Sequence, residues 1–190
     1  MDTYGAVKYL HILFLLGAFG AGTVVHACLF RLRAARTLAD AAPWGALAGK
    51  LENVFPIAIL GLFGTGAYMT SDAWTWSTRW IDVSTAGLAL MLAQGGGIAA
   101  RRAHALEHAL MANGPGELGE RARQMTCDPA LWVASFTNPA LALGIVWNMT
   151  QKPGLGESIA AVAVAYAVGA ALALWFTRTP APEAAAVSQT

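Results

Sequence analysis

The chain has 190 residues, 56% of them hydrophobic and 12% charged, with a formal net charge of +1. Soluble domains carry about 25% charged residues, so a fold of this size could not cover its surface with polar groups, and lipid is the solvent that suits it. The near-neutral balance also excludes the basic surface that a nucleic-acid partner requires.

A helix that crosses a bilayer needs about 20 mainly apolar residues. Five stretches qualify: about Val7 to Phe30, Asn53 to Thr70, Ile81 to Ala100, Leu131 to Met149 and Ser158 to Phe176. The predicted fold class is all-α, a polytopic membrane helical bundle of about five transmembrane helices. It forms one domain over residues 1–178, and the Pro- and Ala-rich tail 179–190 is predicted to be disordered.

The first stretch has only Lys8 before it, while Arg31, Arg33 and Arg36 follow. A secretory signal has the opposite charge order, so an uncleaved helix is expected; Val25-His26-Ala27-Cys28 matches a lipoprotein cleavage box only loosely. His11 and His26 lie fifteen residues apart in this stretch, which in a helix is about 22 Å with an offset of about 60°. They therefore share a face, one near each membrane surface. Ionisable residues inside membranes face the bundle interior, and histidines so placed hold b-type haem through one axial ligand from each of two helices. The other spanning stretches carry no histidine, so Met69 and Met149, at the same end as His11, are the candidate partners. The alternative is that each imidazole is neutral and hydrogen-bonds a neighbouring helix or interfacial water. Lys8 can snorkel to the headgroups. Gly17, Ala18, Ala21 and Gly22, with Gly61 and Gly64 of the second stretch, are small enough for close helix packing.

The segment Arg31–Glu52 is predicted to hold a surface helix ending near Pro43. The second stretch is the shortest, glycine-rich and with Pro56 near its start, yet lipid still demands a helix. At the start of the third, Asp82 is placed to cap the helix or to pair with Arg79 or Lys8. Gln94-Gly-Gly-Gly97 ends it, beyond which an exposed helical extension is expected to Asn113, broken by Gly114-Pro115-Gly116. On that extension His104 and His108 share a face, with Glu107 between them in sequence. Together with His26, Cys28 and Cys127 they are candidate ligands for zinc or copper(I); the alternative is a solvated face beside Arg101 and Arg102. Both cysteines fall on the predicted cytoplasmic side, where thiols stay reduced, so no disulfide is expected.

The fourth stretch contains Thr137-Asn138-Pro139. Proline frees a backbone carbonyl, and interrupted helices mark transporter sites. Asn138, Pro139 and Gln94 are therefore candidate substrate-binding residues, against the alternative of a simple kink with an interhelical hydrogen bond. Pro56-Ile-Ala-Ile-Leu-Gly61 and Pro139-Ala-Leu-Ala-Leu-Gly144 echo each other, each preceded by an asparagine and each reaching Met-Thr. A duplication of helix pairs two–three and four–five would explain the echo, and so would chance.

Lysine and arginine set orientation. Arg31, Arg33, Arg36, Lys50, Arg101, Arg102, Arg121, Arg123 and Arg178 fall on one side; Lys8, Arg79 and Lys152 fall on the other. The first side is predicted to be cytoplasmic, with the N-terminus outside and the C-terminus inside. Trp74, Trp76, Trp80 and Trp147 then lie at outer ends and Trp44, Trp132 and Trp175 at inner ones, as headgroup zones favour. The spans hold no central Asp, Glu, Lys or Arg of the kind proton-coupled pumps use, and the chain holds no nucleotide loop, HExxH or Ser/His/Asp set.

The opening Val-Lys-Tyr-Leu-His11-Ile-Leu before a Gly/Ala-rich helix and arginines resembles a loose group of bacterial predicted integral membrane proteins. So do Gly61-Leu-Phe-Gly-Thr-Gly66 before a Trp-rich loop and Met149-Thr-Gln-Lys-Pro153. More distantly the chain is similar to the copper-resistance D-like and J-type protoporphyrinogen oxidase-like proteins. The resemblance implies a small helical bundle in the bacterial inner membrane and haem at a first-helix histidine, which here is His11. No later helix carries a lysine to match the oxidases' catalytic basic residue. The leading expectation is thus an inner-membrane protein with redox-linked haem b. A small-solute or metal permease is the first alternative, and a structural or assembly subunit, in a homo-oligomer or a larger membrane complex, the second.

Overall fold

The computed structural model describes residues 2–112, 114 and 116–179. The expected disordered tail, apart from Thr179, lies outside the described residues, as do Asn113 and Pro115 of the expected helix break. The elements are α1 (Thr3–Ala34), α2 (Leu38–Glu52), α3 (Val54–Ala73), α4 (Arg79–Leu92), a π-helical segment (Ala93–Ala99), α5 (Ala100–Met111), α6 (Glu120–Thr126), α7 (Pro129–Gln151) and α8 (Leu155–Arg178). Five helical rods are long and apolar enough to cross a membrane: α1, α2 with α3, α4 through α5, α6 with α7, and α8. The chain is an all-α bundle of the multi-pass membrane type.

Each boundary has a local cause. The Asp2 carboxylate accepts from the Gly5 N–H at 2.7 Å and starts α1 four residues before the expected Val7. Thr37 and Asp40 form a reciprocal capping box at the start of α2. This helix does not end near Pro43 but runs through it to Glu52. The proline deletes one bond to the Ala39 carbonyl, while burial of Ala41 and Ala48 on either side holds the helix in place. The break comes instead at Asn53, where Pro56 offers no N–H to the Glu52 carbonyl. Replacing Thr37 with alanine removes the hydroxyl that accepts from the Asp40 N–H at 3.1 Å. The expected cost is about 1 kcal/mol, read as an earlier midpoint in detergent-induced unfolding.

Gln94-Gly-Gly-Gly97 does not end the third span. The chain widens into a π-helix there and continues without interruption to Met111. Nor is α5 simply an exposed extension, because it buries Leu106 and Leu110. With Leu29, Leu32, Ala41, Leu118, Ala122, Leu131 and Trp132 they form the core at the arginine-rich end of the bundle. There the two long loops are stitched by the Thr37–Glu117 bridge and by the Leu118 N–H donating to the Arg36 carbonyl at 2.9 Å. Arg102 meets Asp128 at 2.9 Å and so ties α5 to the start of α7, which Asp128 itself caps through the Ala130 N–H.

Within the apolar rods α1 pairs with α3, while α4, its π segment, α7 and α8 form a second packed group. The two groups meet at the arginine-rich end, where Phe30 of α1 packs on Trp132, Phe136 and Phe176. The echoing segments are therefore used differently. Gly61 receives the Phe14 ring of α1, whereas Gly144 lies against Ala161, Val162 and Ala165 of α8. The α3–α4 pair does not repeat the packing of α7 with α8.

Candidate functional site at the α4–α7 seam

His11 is buried against α3, where its Nδ1 lies 2.8 Å from the Thr65 hydroxyl. That hydroxyl's proton goes to a backbone carbonyl, of Gly61 or Leu62, so the imidazole Nδ1–H donates to Thr65 Oγ1. The ring lies beside Gly66, where a Cβ would stand at ordinary contact distance, 3.5 Å from His11 Cε1. His26 turns to other partners. Its Nδ1 donates to the Gly22 carbonyl of its own helix at 3.1 Å, and its ring stands edge-on to Phe136 of α7 at 5.8 Å. The two histidines thus face different helices.

These residues do not fit a haem. α1 and α3 pack directly on each other about one turn from His11, where a Cβ on Gly61 would stand 2.5 Å from the Phe14 ring. Met69 is half-buried on α3, one turn beyond Thr65, and Met149 is half-buried on α7. α1 approaches α7 at the arginine-rich end through His26 and Phe30, far from the Met149 end of that helix. The metal candidates are scattered too. Cys28 is buried in α1, Cys127 is exposed, and His104 and His108 are exposed on α5, with His104 beside Glu107 at 3.6 Å. Among the described residues no three His, Cys, Asp or Glu side chains gather to hold a metal ion. Asp82 lies in the first turn of α4, with Thr78 at the cap position.

The substrate candidates, by contrast, come together. Gln94 lies in the π segment, and its Oε1 is 2.7 Å from the Thr137 hydroxyl of α7, which also reaches the Val133 carbonyl at 2.7 Å. Asn138 Nδ2 would be 3.3 Å from a Cβ at Gly95, so the absent side chain lets the amide approach the π backbone. The Asn138 Oδ1 is buried with no hydrogen-bond partner. One residue on, Pro139 leaves the Ser135 carbonyl without its helical donor. The Gly-rich π turn is closed by the Ala100 N–H donating to the Gly95 carbonyl, and Arg101 Nε donates back to the Gly97 carbonyl. π-Helical insertions are rare and recur at functional sites. Gln94 also opens on a groove of about 450 Å³ lined by Leu90, Ile98, Val133, Ala134 and Tyr166.

The polar character continues along the seam. Ser84 and Trp80 of α4 and Asn148 of α7 each hold a buried polar atom without a partner, namely Ser84 Oγ, Trp80 Nε1 and Asn148 Oδ1. Reading the sequence alone passes over Ser84 and Asn148 as site residues. Their signal is a polar side chain inside an apolar run, but which helix each one faces depends on packing. Comparison of the chain with protein-family models, curated proteins and solved structures finds no match.

Proposed function

We propose that this chain is a permease for small uncharged polar solutes, with Gln94, Thr137 and Asn138 as its binding site where the π segment crosses α7. One observation carries the reading. Of the five buried side-chain polar atoms without a partner among the described residues, four belong to α4 and α7: Trp80 Nε1, Ser84 Oγ, Asn138 Oδ1 and Asn148 Oδ1. Each such atom costs about 1–3 kcal/mol unless something answers it, and a scaffold subunit gains nothing by keeping four on two helices that pack together. The site holds amides and a hydroxyl but no charge, so it suits a neutral hydrogen-bonding solute better than an ion. The π turn and the Asn-Pro step supply the irregular backbone that membrane proteins tolerate beside a binding site. The arginine-rich end faces the cytoplasm on the basic-residue rule, with the N-terminus outside, and the resemblance of the first helix points to a bacterial inner membrane.

The test is flux. Purified protein in vesicles is mixed with urea or glycerol, and volume recovery is followed by stopped-flow light scattering. Recovery several-fold faster than in protein-free vesicles is expected, and Asn138→Leu or Gln94→Leu should reduce the protein-dependent rate at least tenfold at equal protein content. Wild-type vesicles that recover no faster than empty ones overturn the reading.

A further inference from the structure

Three of the unpartnered atoms fall at one end of the seam, away from the Gln94–Asn138 cluster. The register of α4 on α7 follows from close approaches. A Cβ on Gly87 would lie 3.1 Å from Ile145 Cδ1, Gln94 bonds to Thr137, and Gly95 receives Asn138. These pairs run antiparallel. Ser84 precedes Gly87 by three residues and Asn148 follows Ile145 by three, so one turn from that contact they occupy facing positions. Asn148 is fully buried and Ser84 is 4% exposed. The Asn148 Nδ2 donates to the Ser158 carbonyl of α8 at 3.4 Å, which holds the amide while its oxygen stays unanswered. Trp80 stands one turn beyond Ser84. Its ring packs edge-on against Trp74 at 5.3 Å, and Lys152 Nζ, just past the end of α7, sits 4.7 Å from the Trp74 ring centroid.

We infer that Trp80, Ser84 and Asn148 form a second solute station, selective for a small neutral molecule that carries both N–H donors and a carbonyl acceptor, such as urea or a short primary amide. The inference rests on the permease reading and names its substrate class. The chemistry follows from what each group can do. Trp80 Nε1–H only donates and calls for an acceptor; Asn148 Oδ1 only accepts and calls for a donor; the Ser84 hydroxyl does either. An anion leaves Asn148 unanswered, and a cation leaves Trp80 unanswered. Gly87 packed on Ile145 separates this station from the Gln94–Asn138 cluster, so a solute passes between them only when α4 shifts on α7.

Two readouts decide it, both with urea as probe on the full chain. The first is the side-chain carbonyl resonance of Asn148 in asparagine-labelled protein in nanodiscs. It is expected to shift on titration with urea and to stay in place with acetate or methylammonium, and Ser84→Ala should weaken the urea response at least tenfold. The second is urea flux, which Ser84→Ala and Trp80→Phe should each lower several-fold. If flux falls in Asn138→Leu but is untouched by both seam variants, and the Asn148 resonance ignores urea, the second station is overturned while the permease stands. If urea moves the Asn148 resonance but wild-type vesicles show no flux, the station holds as a binding site and the permease reading falls. Silence in both readouts overturns both.

Discussion

Substituting leucine for Gly169 is expected to leave no folded bundle. A Cβ at this position would lie 2.8 Å from the Phe136 carbonyl oxygen and 2.9 Å from both the Thr137 Cα and the Ala140 Cβ. Two of those neighbours are backbone, which cannot swing aside as a side-chain end can. Gly144 makes the reciprocal approach from α7, where a Cβ would be 3.0 Å from the Ala165 Cβ and 3.2 Å from the Ala161 carbonyl. Helices in lipid associate through such close packing, because the bilayer supplies little hydrophobic drive between them. Leucine at Gly169 must push α8 off α7, at a cost of about 3 kcal/mol or more. Loss of the monodisperse peak on size exclusion is the expected readout. Gly64→Leu is the control, since nothing lies within 4 Å of its added Cβ, and it should behave as wild type. A Gly169→Leu protein as stable as the parent would show that α7 and α8 do not dock as described. The same contact bears on function. With α7 locked to α8, relative movement at the polar seam falls to α4 and its π segment.

Length and apolarity were enough to read the five spans, because lipid leaves the backbone no alternative to helix. Boundaries were harder, since they depend on single side chains. Asp2 extends α1, and the short polar helix Glu120–Thr126 has too few residues to show a period. Gln94-Gly-Gly-Gly97 reads as a stop by composition. The alternative, a wider helical turn, leaves no trace in a composition or in a 3.6-residue period. Gln94, Asn138 and Pro139 were legible because amides and proline are conspicuous in apolar runs. Ser84 was not, because a lone serine in a span is ordinary until Asn148 is placed opposite it. His11 and His26 show the converse. Their shared face is a property of one helix, but what each meets is set by neighbours, and those neighbours are Thr65 in one case and Phe136 in the other.

The second large effect is expected at Trp132, at the arginine-rich end. This side chain is fully buried and donates from Nε1 to the Thr126 carbonyl at 2.8 Å. Its ring centroid lies 4.6 Å from that of Phe176 and 5.3 Å from that of Phe30, so one residue joins α1, α7 and α8. Arg33 lies over the same cluster, 4.2 Å from the Phe176 centroid and 5.6 Å from that of Trp132. Its terminal nitrogens donate to the Phe176 and Thr179 carbonyls at 3.1 and 2.6 Å, which answers the last turn of α8 and its negative dipole end. Trp132→Ala is expected to cost about 3–5 kcal/mol, the range for emptying a buried aromatic site. Arg33→Leu should cost about 2 kcal/mol, for two charge-assisted bonds to carbonyls. The double variant should fall short of their sum by about 0.5–2 kcal/mol, because each partner loses the cation–π contact only once. Detergent-induced unfolding followed by tryptophan fluorescence measures all three. Strict additivity would separate Arg33 from the aromatic cluster. The aromatic side chains of the clamp come from α1, α7 and α8, and none of them comes from α4 or its π segment. Trp132→Ala should therefore lower the amount of folded protein while leaving urea flux per folded molecule unchanged. A drop in that per-molecule flux would mean that the seam and the clamp move as one unit.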